Sequence, residues 1–82
     1  MITYSFQVLI PEGLHARPCA KLIEILKPYE PVSFSYNNVT INILSILELL
    51  LFKVGYGSSL AIHTPQPLPA GVLEDLKKVF EG

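Results

Sequence analysis

Cysteine is nearly absent from this chain of 82 residues: Cys19 stands alone, which excludes an intramolecular disulfide and leaves no Cys/His set at metal-ligand spacing. The fold must rest on packing. Charge is also scarce, at 16% of residues, and balanced, with 6 Lys and Arg against 7 Asp and Glu for a net charge of -1. That balance removes any bulk electrostatic reason to bind nucleic acid or an anionic membrane. The longest apolar run, Ile43 to Val54, is interrupted by Ser45, Glu48 and Lys53 and is too short to cross a bilayer as a helix. The opening MITYSFQVLI alternates polar and apolar and shows no basic region, apolar block and small-residue cleavage site. A cytoplasmic location without membrane insertion is the expectation.

Half of the residues are hydrophobic, so the chain can fold, and its length suits one small domain over residues 1–82. Between Pro31 and Leu73 only Glu48 and Lys53 are charged, which leaves a neutral middle of the kind found at docking surfaces.

Ile2, Tyr4, Phe6 and Val8 alternate with polar residues, the period of a strand with one buried face. After Pro11, Glu12 and Gly13, the residues Cys19, Leu22, Ile23 and Leu26 fall on one side of a helix bracketed by Pro18 and Pro28. Val32, Phe34 and Tyr36, then Val39, Ile41 and Ile43, flank Asn37-Asn38, a pair that accepts turn dihedrals, and this predicts a hairpin. Ser45 followed by Glu48 has capping-box spacing and predicts a short second helix to about Phe52. Leu60 and Ile62 mark a fourth strand, and Val72, Leu73, Leu76, Val79 and Phe80 mark a last helix. The order β-α-β-β-α-β-α predicts an α+β, open-faced two-layer sandwich: a four-stranded antiparallel sheet covered on one face by three helices.

The chemistry concentrates in Gly13-Leu14-His15-Ala16-Arg17-Pro18, at the mouth of the first helix. Gly13 gives a turn that a side chain would obstruct, and Pro18 fits a first turn where no amide donor is needed. Folding does not require a His there with an Arg two residues on. Free first-turn amides and the positive end of the helix dipole would receive an anion attached to His15, with Arg17 adding a charge-assisted contact. Neutral imidazole has a lone pair that can attack phosphorus. An exposed polar turn with no reactive role is the competing reading of these residues.

The stretch GLHARPCAKLIEILKPY resembles the phosphohistidine signature of HPr proteins, phosphocarriers of the bacterial phosphoenolpyruvate-dependent sugar phosphotransferase system, and NVTINILSILELLLFKVGYGS is similar to that family's second signature. The resemblance implies an HPr-like fold over nearly the whole chain. It further implies that His15 is phosphorylated on its δ nitrogen by Enzyme I and passes the group to sugar-permease A domains. Ala16, Arg17 and Pro18 would hold the phosphate, and no cofactor or metal is implied. A regulatory serine, modified in some bacteria by a dedicated HPr kinase, falls on Ser45, although Leu44 stands where the family commonly has Lys. Docking in the family uses the second helix, here rich in Leu47, Leu50 and Leu51, with the start of the first. A homodimer hiding that apolar helix is the rival explanation of its composition, and an HPr-like regulatory or interaction module without carrier activity is the alternative function.

Cys19, where the family commonly has Ala, reads as a small core filler or an oxidation-sensitive neighbour of His15. His63 reads as a solvent-facing strand residue and Tyr56 as a loop aromatic. Lys27, Lys77 and Lys78 read as ordinary helix-face charges, while Lys21 is close enough to His15 in helical spacing to assist docking.

Overall fold

The computed structural model describes residues 1–45 and 54–81. Alternation along the chain becomes β1 (Ile2–Gln7), β2 (Ser33–Tyr36), β3 (Val39–Asn42) and β4 (Ser59–Thr64), and the helical periodicities become α1 (Ala16–Leu26) and α2 (Ala70–Glu81). The strands form one antiparallel sheet in the order β1-β4-β2-β3. Register aligns Tyr4, Ile62, Phe34 and Ile41 in one row across it. Their side chains belong to the core and its margin, on the face the helices cover.

Each helix reaches this layer through one stripe. Cys19, Leu22 and Leu26 of α1 are buried at offsets of three and four, as are Leu76 and Phe80 of α2 at an offset of four. The Phe80 ring stacks on Phe6 with centroids 4.9 Å apart and meets Phe34 edge-on at 6.4 Å, tying α2 to two strands. Asn37 and Asn38 both take positive φ, 51° and 65°, the left-handed pair that a two-residue hairpin requires.

Three boundaries differ from expectation. α1 starts at Ala16, so Pro18 is its third residue, and past Leu26 the chain tightens into a 3-10 turn over Lys27–Tyr29 around Pro28, which lacks the N–H a continuing α-helix would need. β4 is longer than the two apolar residues that marked it, because register also pairs His63 with Thr3 and Thr64 with Ile2. Among the described residues two α-helices cover the sheet; the expected second of three, with Leu47, Leu50 and Leu51, lies outside them. No helix among the described residues is long and apolar enough to cross a membrane.

Candidate functional site

His15 is the N-cap of α1, extended at φ -133° and ψ -171°, and its side chain makes no capping hydrogen bond. His15 is exposed, and its ring makes no hydrogen bond to another of the described residues. Cys19 N donates to His15 O at 3.1 Å, the first bond of the helix. Ahead of it the amides of Ala16 and Arg17 have no acceptor within the helix, and Pro18 has no N–H to satisfy. No acidic residue occupies this first turn, so nothing on the helix neutralises the positive end of its dipole. Ala16, Arg17 and Pro18 form the start of α1 directly after His15.

The loop before His15 is held to the chain from Val54 onward. Leu14 N donates to Val54 O at 2.8 Å and Gly13 N to Ile10 O at 2.8 Å. Gly13 has φ +76°, and a Cβ there would sit 2.6 Å from Val54 O and 2.9 Å from Gly55 Cα. Only glycine meets both demands, left-handed backbone and contact with a neighbouring main chain. Two more bonds, Val8 N to Ser58 O and Gly57 N to Val8 O, extend this seam to the end of β1.

Beside the ring opens a cleft of about 790 Å³ between α1 and α2. His15, Arg17, Pro18 and Lys21 line one side, and Asp75, Lys78 and Val79 the other. Lys21 is therefore where helical spacing put it. Asp75 was not singled out in the sequence and Lys78 read only as an ordinary helix-face charge, because only tertiary packing brings α2 to α1. Cys19 lies beneath, fully buried, and burial pushes its thiol up from the ordinary range. It fills core space.

Ser45 is half-buried, and its N–H donates to Asn42 O at 3.0 Å just after Asn42 Oδ1 accepts from Leu44 N at 2.8 Å. It does not line the His15 cleft. Its expected partner Glu48, like Leu47, Leu50 and Leu51, falls outside the described residues. Tyr56 is 65% exposed in a turn.

His63 is on the sheet's outer face, as expected, but half-buried and bonded on both sides. Nδ1 shares a hydrogen bond with Thr3 Oγ1 at 2.9 Å, Nε2 with Ser35 Oγ at 2.7 Å, and Ser35 Oγ with Thr40 Oγ1 at 2.9 Å. This chain of hydroxyls crosses all four strands. Alternation placed each residue outward, while the register that joins them is set by strand pairing and has no local signal.

Residues 2–82 match the family model described as "PTS HPr component phosphorylation site". The phosphocarrier protein HPr of Treponema pallidum (strain Nichols) is 23% identical over 82 residues, covering 99% of this chain and 93% of its own. Among solved structures, HPr from Thermoanaerobacter tengcongensis superposes with a TM-score of 0.79 at 20% identity, over 99% of this chain and 92% of that one. The phosphocarrier protein HPr of Bacillus anthracis str. Ames gives 0.77 at 25% identity, over 96% and 95%.

Proposed function

The chain belongs to the HPr family of phosphotransferase-system phosphocarriers, and we propose that His15 is the residue that carries its phosphoryl group, received from Enzyme I and passed to sugar-permease A domains in the cytoplasm. One observation carries this reading: His15 is an exposed N-cap whose ring caps nothing, set where the Ala16 and Arg17 amides have no acceptor within the helix and the first turn holds no acid.

The chemistry follows from that placement. In the neutral ring the δ nitrogen attacks phosphorus; its N–P bond forms as the donor's P–N bond breaks, and the donor ring recovers the electron pair. The transferred group brings its negative charge to the mouth of α1, where open amides and the dipole oppose no counter-charge of their own. Arg17 adds a charge-assisted hydrogen bond, and Pro18 fixes the turn without competing for the anion. Such a group is a carrier of other proteins' chemistry, not an enzyme acting in a pocket. Ser45 is the site at which a kinase would act in this reading, and Leu47, Leu50 and Leu51 supply the apolar docking contact.

The test is labelling of the purified chain by phosphoenolpyruvate and Enzyme I, read by intact mass. An acid-labile, base-stable gain that disappears in a folded His15→Ala chain is expected. The same gain in His15→Ala would overturn the assignment. No gain in the folded wild-type chain would favour the interaction module.

A further inference from the structure

The cleft beside His15 is sorted by charge along its length, and its far wall belongs to the C-terminal helix. Leu9 N donates to Phe80 O at 2.7 Å, which ties the last turn of α2 to the end of β1, next to the loop that carries His15. Lys78 in that turn therefore lies at the His15 end, with Arg17 and Lys21 from the first turns of α1 and Glu12 as the acid there. Asp75, a turn back along α2, and Glu24, about 10 Å of helix rise beyond Arg17, line the other end. Ile10, Ile25 and Val79 are aliphatic residues of the same lining.

We propose that this cleft is a docking groove for the protein that donates the phosphoryl group, with Glu24 and Asp75 receiving a Lys or Arg side chain of that partner. The inference rests on the phosphocarrier reading and adds α2 to the recognition surface. A phosphorylated donor approaching His15 brings a dianion, for which Arg17, Lys21 and Lys78 are the complementary end. The acidic pair would repel that dianion, so the group it favours is a cation. Two ends of opposite sign admit one orientation of the partner and penalise the reverse, which would set phosphate against Glu24 and Asp75. Ile25 and Val79, both half-buried, supply contact area without adding charge.

The experiment measures steady-state phosphorylation of the chain by Enzyme I and phosphoenolpyruvate, with the chain as varied substrate. Replacing Glu24→Lys together with Asp75→Lys is expected to raise KM about tenfold while kcat stays within about twofold, the pattern of lost docking with intact chemistry. Lys77→Glu is the off-site control, since Lys77 borders a separate groove along β1; neither constant should move. If the double lysine chain has lost its cooperative melting transition, Glu24→Gln with Asp75→Asn replaces it, with an expected rise of about threefold. An unchanged KM in the folded variants, with the wild-type chain labelled on His15, overturns the groove and leaves the carrier reading standing. A wild-type chain that takes no label overturns the carrier reading and the groove with it.

Discussion

Burial holds the Cys19 thiol neutral beyond its ordinary value of 9.0, because a thiolate between α1 and the sheet would lose its hydration. The folded chain then keeps a proton that the unfolded chain gives up, so stability falls as pH rises through 9.0 toward the higher folded value. Cys19→Ala should flatten that alkaline slope in urea titrations. In the native chain at pH 8, a thiol reagent should modify Cys19 slower by about a hundredfold or more than in urea, because access requires opening of the core. Gly13, His15, Arg17 and Pro18 were legible in the sequence because the turn, the cap and the helix start are local events. Thr3, Ser35 and Asp75 were not, since each gains its neighbours only when distant segments pack.

The β2–β3 hairpin was readable from Asn37-Asn38, two residues that tolerate the left-handed region better than most. Asn38→Gly should stabilise the chain by roughly 0.5–1 kcal/mol, and Asn38→Val should cost about 1–2 kcal/mol, both with an unchanged urea m-value. Equal stability of the Val and Gly chains would mean that the turn relaxes into another form. β4 was read too short for a different reason. Thr64 is a polar residue only 1% exposed, and nothing in composition marks it as buried. Its hydroxyl donates to Gln66 O at 2.7 Å, so the buried group is satisfied and the strand can continue inward past Ile62. The two described helices were legible in type, but the end of α1 was not, because Pro28 changes the form of its final turn instead of ending it.

At the level of the molecule, the sheet closes by pairing the first strand with the last: β1 pairs with β4 alone, across some sixty residues of sequence, and β4 is flanked on both sides. Central β4 amides should therefore show the slowest hydrogen exchange, near the global unfolding limit, while β3 amides exchange about tenfold faster or more through local opening. Comparable protection in both strands would show that the sheet opens as one unit. This pairing, like the order β1-β4-β2-β3, could be anticipated only as a class of sheet, since alternation marks faces and not neighbours. The uncharged outer face has a practical consequence too. Ser5 and Ser59 stand there, exposed, on the side away from the helices and His15, and the chain's lone thiol is sealed inside. A cysteine introduced at either position would be the single reactive handle for a fluorophore or a surface tether, leaving the phosphoryl-accepting end facing solution.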